Sequence, residues 1–192
     1  MKQAGLEFEE IRILLDTPET RDRLLHYSPT GRVPVLRHGD LTIWESLAIC
    51  EYISELVPAA HLYPSEPEAR AIARAISCEM HAGFSKLRTH LPMDCRARHA
   101  ELGVAPDVQA DIDRITTIWR ECRQRFGSTG DFLFGSFTIA DAMYAPVVSR
   151  FITYGVTLDP VCQAYAGALW ALPAMQDWLS AAVAEVEAIA HP

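Results

Sequence analysis

With 192 residues, 49% of them hydrophobic and 22% charged, the chain is long enough to bury one large core or two small ones. A net charge of −8 without a Lys/Arg cluster argues against a nucleic-acid partner, and no apolar run approaches the roughly 18 residues of a membrane span. The opening MKQAGLEFEE has no hydrophobic signal segment and the five scattered cysteines (Cys50, Cys78, Cys95, Cys122, Cys162) have no CxxC spacing, so reduced thiols and a cytoplasmic setting are expected. The seven histidines form no HxxxH or HExxH pattern, and no metal site is expected.

Along the chain, Phe8–Ile13 alternates apolar and polar residues and predicts a strand. Asp16-Thr17-Pro18-Glu19 then supplies an N-cap and an early proline for a short helix through Leu24 and Leu25. Tyr27–Gly31 (YSPTG) is a turn cluster. Val33–Arg37 and Leu41–Trp44 predict two short strands joined by a tight turn at His38-Gly39-Asp40. Glu45–Leu56 predicts an amphipathic helix with Leu47, Ile49, Cys50 and Ile53 available to a core. Composition shifts near Pro58, and a linker runs to Pro67.

Beyond the linker the pattern is helical. Ile72, Ile76, Met80, Phe84, Leu87 and Leu91 lie three or four apart and predict one helix ended by Pro92. Val108, Ile112, Ile115, Trp119, Cys122 and Phe126 form a second seam. Thr138 and Asp141 have the spacing of a capping box, opening a helix that carries Ala140, Met143, Val147 and Phe151 and is interrupted by Pro146. A last helix follows Pro173 and holds Met175, Trp178, Leu179, Ala182 and Val186. The expected organisation is an α/β domain over 1–57 and an all-helical domain over 66–192.

Gly31–Leu36 (GRVPVL), followed by Trp44–Ile49 (WESLAI) and much later by Phe137–Asp141 (FTIAD), resembles the soluble glutathione S-transferases in order and separation. Glu79–Phe84, Leu91–Cys95 and Leu172–Met175 further resemble a proteobacterial branch of that family. The resemblance implies a thioredoxin-like domain followed by a helical domain, a homodimer in a detoxifying role, and glutathione as co-substrate, its thiolate attacking a small apolar electrophile. It also implies a cis Val33–Pro34 bond whose Val33 N–H and C=O pair with the cysteinyl backbone of glutathione. By the same resemblance Ser46 holds the γ-glutamyl carboxylate, Glu45 its ammonium and Arg32 the glycyl carboxylate. Each residue has a simpler reading when taken alone. Glu45-Ser46 could be helix-opening residues, Val33-Pro34 an edge-strand pair, and Arg32 a solvated charge. His81, Phe84, Arg88 and Tyr144 border the electrophile site in the family, although core packing and solvation account for them equally well.

The family activates the glutathione thiol with a Ser, Tyr or Cys at the end of the first strand or just inside the first helix, and here no such residue precedes Thr17. Aligned this way, Met1–Gly5 falls at the end of that first helix, about 15–25 residues into the fold. The expectation is therefore an N-terminally truncated thioredoxin-like domain whose catalytic residue lies upstream of Met1. Two alternatives stand beside a transferase: a non-catalytic binding or interaction protein on the same fold, and a glutathione-dependent isomerase of the zeta type.

Overall fold

The computed structural model describes residues 1–100 and 103–187, which divide into a unit over Met1–His61 together with Glu187 and a second over Leu62–Val186. An α/β unit is thus followed by an all-helical one, the order the hydrophobic periods predict.

In the first unit α1 spans Thr20–Tyr27, later than the predicted start. Asp16 sits at φ 59, outside helical geometry, and does not cap. Instead the Thr20 hydroxyl accepts the Thr17 N–H at 2.9 Å and donates to the Leu14 carbonyl at 2.9 Å, closing the entry turn. The hairpin β1 (Val35–His38) and β2 (Leu41–Trp44) pairs antiparallel with Val35 opposite Trp44 and His38 opposite Leu41. Gly39, at φ 59, takes the left-handed conformation that this two-residue turn requires. The helix α2 (Ser46–Leu56) follows at once and buries Ile53.

The predicted strand at Phe8–Ile13 does not form, and β1 and β2 are the paired strands among the described residues. Alternation gives a segment one apolar face, but its backbone groups become a strand only beside a partner ladder. Without one, Phe8 and Ile11 stay exposed.

In the second unit, α3 (Pro67–Ala82) starts on Glu66, whose carboxylate accepts the Glu68 N–H at 3.0 Å and the Ala69 N–H at 2.6 Å. The single helix predicted through Leu91 breaks after Ala82, and α4 occupies Ser85–His90. A Cβ on Gly83 would lie 2.6 Å from the Glu79 carbonyl oxygen, and Phe84 adopts φ 56, so the chain re-aims there. The apolar spacing survives the break, because Met80, Phe84, Leu87 and Leu91 are all buried.

The long helix α5 (Pro106–Phe126) buries the predicted seam from Val108 to Cys122. At the start of α6 (Ile139–Thr153) the capping box forms, and Asp141 is wholly buried. Its carboxylate accepts the Thr138 N–H at 2.7 Å, the Thr138 hydroxyl at 2.9 Å and the Leu133 N–H at 3.2 Å. Burial, only partly offset by these donors, pushes its pKa up to about 6. The sequence reading missed α7 (Pro160–Trp170), although its cap was legible: Asp159 accepts the Val161 and Cys162 N–H groups and Pro160 fills the first helical position. The last helix, α8, spans Pro173–Ala184. Trp119 lies at the centre of the core, edge-on to Tyr144 and Tyr165 and tilted against Phe151.

Candidate functional site

The site in the first unit is assembled by a turn, a strand start and a helix start. Ser28, Pro29, Thr30 and Gly31 make a tight turn in which the Gly31 N–H donates to the Ser28 carbonyl at 3.1 Å. Pro29 presets the second position of that turn, and Gly31 supplies φ 63 at its exit. The chain then passes through Arg32 and a cis Val33–Pro34 bond into β1. Val33 is 57% exposed, and its N–H and C=O make no hydrogen bond among the described residues. An apolar side chain left in solvent next to an unpaired backbone edge is the arrangement that an added peptide strand completes.

Glu45 stands between β2 and α2 at φ 70 and ψ 123, a conformation that ordinarily belongs to glycine. Holding a side-chain-bearing residue there costs on the order of 1–3 kcal/mol, and such outliers cluster at ligand clamps. The first turn of α2 has no side-chain cap. The N–H groups of Ser46, Leu47 and Ala48 therefore lack intrahelical acceptors and offer a partial positive charge.

Thr30, Arg32, Val33, Pro34, Trp44 and Glu45 line a cavity of about 170 Å³. That is smaller than the roughly 300–1,000 Å³ of a cleft enclosing a drug-sized ligand, so a tripeptide would lie partly outside it. Arg32 contributes a cation and Glu45 an anion, which suits a ligand bearing both charges. Of the residues expected to hold glutathione, Arg32, Val33 and Glu45 come together in this lining, while Ser46 adjoins it as the first residue of α2. Thr30 and Trp44 were not named as site residues from sequence, although Thr30 lies in the turn directly before Arg32 and Trp44 opens the WESLAI segment. The Cys50 thiol, one turn into α2, is pushed up by burial and stays protonated near neutral pH.

The four residues proposed for an electrophile site all belong to the helical unit and divide into two groups. His81, Phe84 and Arg88 gather at the α3–α4 break, where the Arg88 guanidinium donates to the His81 carbonyl at 3.2 Å. Phe84 is itself mostly buried. Tyr144 belongs to the core instead. It is 0% exposed, its hydroxyl donates to the Ile76 carbonyl at 3.4 Å, and burial raises its pKa so that it does not ionise. That burial supports the core-packing alternative given for Tyr144 in the sequence analysis.

Residues 1–55 match the family model described as glutathione S-transferase, N-terminal domain, and residues 105–181 match that described as glutathione S-transferase, C-terminal domain. A probable maleylacetoacetate isomerase of Caenorhabditis elegans is 28% identical over 163 residues, covering 83% of this chain and 73% of that protein. The maleylacetoacetate isomerase of Rattus norvegicus is 30% identical over 135 residues, covering 69% of this chain and 60% of that protein. Among solved structures, a glutathione transferase homolog from Burkholderia gl BGR1 with bound glutathione is 26% identical, covers 94% of this chain and 86% of its own, and superposes with a TM-score of 0.68.

Proposed function

Because the chain belongs to the glutathione S-transferase family, we propose that its first unit binds glutathione at the cavity beside Val33–Pro34 and serves thiol transfer to a small apolar electrophile. The observation that carries this reading is the lining itself. Arg32, Val33 and Glu45 line one cavity and the uncapped start of α2 follows Glu45 directly in the chain, which supports a zwitterionic peptide as the ligand. In the reaction the glutathione sulfur bonds to the electrophilic carbon, a leaving group departs with the electron pair, and the thiol proton passes to solvent.

Thiol activation is a separate requirement. A free thiol of pKa about 8.5 is only a few per cent ionised at neutral pH, and each unit of depression takes about 1.4 kcal/mol of preference for the anion. No Ser, Tyr or Cys lines the cavity. The chain is therefore expected to bind glutathione saturably while conjugating a chromogenic electrophile near the rate of the solution reaction. Assay of both in parallel tests the reading. Absence of saturable binding would remove it, and turnover far above the solution rate would place a thiol-activating group among residues assigned no such role here.

A second reading is compatible with the maleylacetoacetate isomerases among the relatives. In that case glutathione acts as a cofactor and is recovered unchanged, which thiol titration before and after turnover distinguishes. A homodimer belongs to the same proposal, supported by exposed apolar side chains such as Phe8, Ile11 and Trp44. Light scattering at micromolar concentration is expected to give twice the chain mass, and a monomeric mass would count against it. The five unpaired cysteines suit a reducing, cytoplasmic setting, which cell fractionation tests.

A further inference from the structure

Two segments of the first unit each lack a strand partner. In the hairpin the two-residue turn makes His38 and Leu41 a hydrogen-bonded pair, and bonded and non-bonded pairs alternate along an antiparallel ladder. Leu36 and Ile43 are therefore bonded to each other, whereas Val35 and Arg37 direct their N–H and C=O groups away from β2. Among the described residues β1 pairs with β2 alone, so this outer row is open.

The second segment is residues 7–11, which take neither helix nor strand and are exposed throughout. They make no hydrogen bond among the described residues. Unpaired backbone on a β edge is a template for an added strand, and an extended segment with free N–H and C=O groups is the piece that fits it. The charges agree. Glu7, Glu9 and Glu10 on the segment and Arg37 on the edge are all exposed and make no ion pair among the described residues. Successive strand side chains alternate faces, so in any register one of Glu9 and Glu10 shares the face of Arg37.

We propose that two copies of the chain exchange strands, residues 7–11 of each lying along the outer edge of β1 of the other. Every copy carries one segment and one edge, so a two-fold pair satisfies both and leaves neither over. This rests on the homodimer reading above and names its surface.

Sedimentation and hydrogen exchange test it on the unaltered chain, Arg37→Glu, the double variant Glu9→Arg/Glu10→Arg, and the single variants Glu9→Pro and Glu10→Pro. The unaltered chain is expected to dimerise, with the amides of residues 8–11 exchanging more slowly in the dimer than after dilution to monomer. Each charge variant should need about tenfold more protein to dimerise, because like charges then meet twice in every pair. An equimolar mixture of the two charge variants should recover, since the charges are again opposite across both contacts. Alternate N–H groups point to opposite sides of a strand, so one of the two prolines removes a donor facing β1 and should weaken the dimer. That proline readout holds even where a charge variant fails to fold, as the segment has no hydrogen bond of its own to lose. Dimers of unaltered strength in all the variants, or weakened charge variants that do not recover on mixing, would overturn the exchange and leave the homodimer reading standing. A monomeric unaltered chain would overturn both.

Discussion

Replacing Asp141 with alanine is expected to destabilise the helical unit by about 3–5 kcal/mol, a loss at the upper end for single substitutions. The carboxylate is wholly buried and takes three donors, two of them backbone N–H groups at the junction of α6 with the preceding loop. Alanine would leave the Thr138 and Leu133 N–H groups buried without acceptors, at roughly 1–3 kcal/mol each. Relief of the buried charge offsets part of that sum. Urea unfolding followed by circular dichroism gives the number, and a loss below about 1 kcal/mol would mean that the loop finds other acceptors.

The same carboxylate gives a pH dependence of definite sign. Its folded pKa of about 6 lies above the ordinary 3.8, so the folded state binds this proton more tightly than the unfolded one. The stabilisation from protonation is complete below about 3.8 and is lost as pH rises through about 6. Relative to Asp141→Asn, which has no proton to exchange, the unaltered protein should therefore gain about 1 kcal/mol between about pH 7 and about pH 5. A gap that stays flat, or moves the other way, would contradict the assignment of this pKa to burial.

Ser46→Ala is expected to weaken glutathione binding by about 1–3 kcal/mol, the scale of a lost hydrogen bond to a charged group. Among the described residues its hydroxyl caps no helix, and α2 begins without a side-chain cap, so the fold should lose only a few tenths of a kcal/mol. That separation makes an affinity loss attributable to the ligand contact. An unchanged dissociation constant would remove Ser46 from the site. Glu45→Gly adds a contrast of sign. Glycine adopts φ 70 without a Cβ penalty and should relieve about 1–2 kcal/mol of backbone strain, while loss of the carboxylate should weaken glutathione binding. Stability and affinity moving in the same direction would show that the strain and the recognition are not linked at this residue.

Much of the architecture was legible because helix seams repeat every three or four residues, and α5 buries the very positions its spacing picks out. The same logic placed a continuous helix through Leu91, where burial is periodic but the backbone is not, since Gly83 and Phe84 turn the chain without moving the apolar face. Helix α7 went unread because its buried set of Cys162, Tyr165, Ala166 and Leu169 mixes small and polar-tipped residues, which weakens an apolar pattern. Phe8–Ile13 had the right alternation, but alternation cannot supply the partner strand. Arg32, Val33 and Glu45, expected from motif order, line one cavity, and Thr30 lines it too without having been expected there. The core alternative for Tyr144 was legible, because it lies four residues after buried Ala140 and shares its face with Val147, Val148 and Phe151.

The cavity beside Val33–Pro34 is proposed to take glutathione through its peptide backbone and both charged ends. Calorimetric titration of the unaltered chain and of Arg32→Ala with glutathione tests it most directly. The expected result is saturable binding at one site per chain, weakened severalfold in Arg32→Ala while S-methylglutathione, which lacks the free thiol, still binds. No saturable binding at millimolar glutathione, or binding that is indifferent to Arg32 and lost on S-methylation, would contradict it.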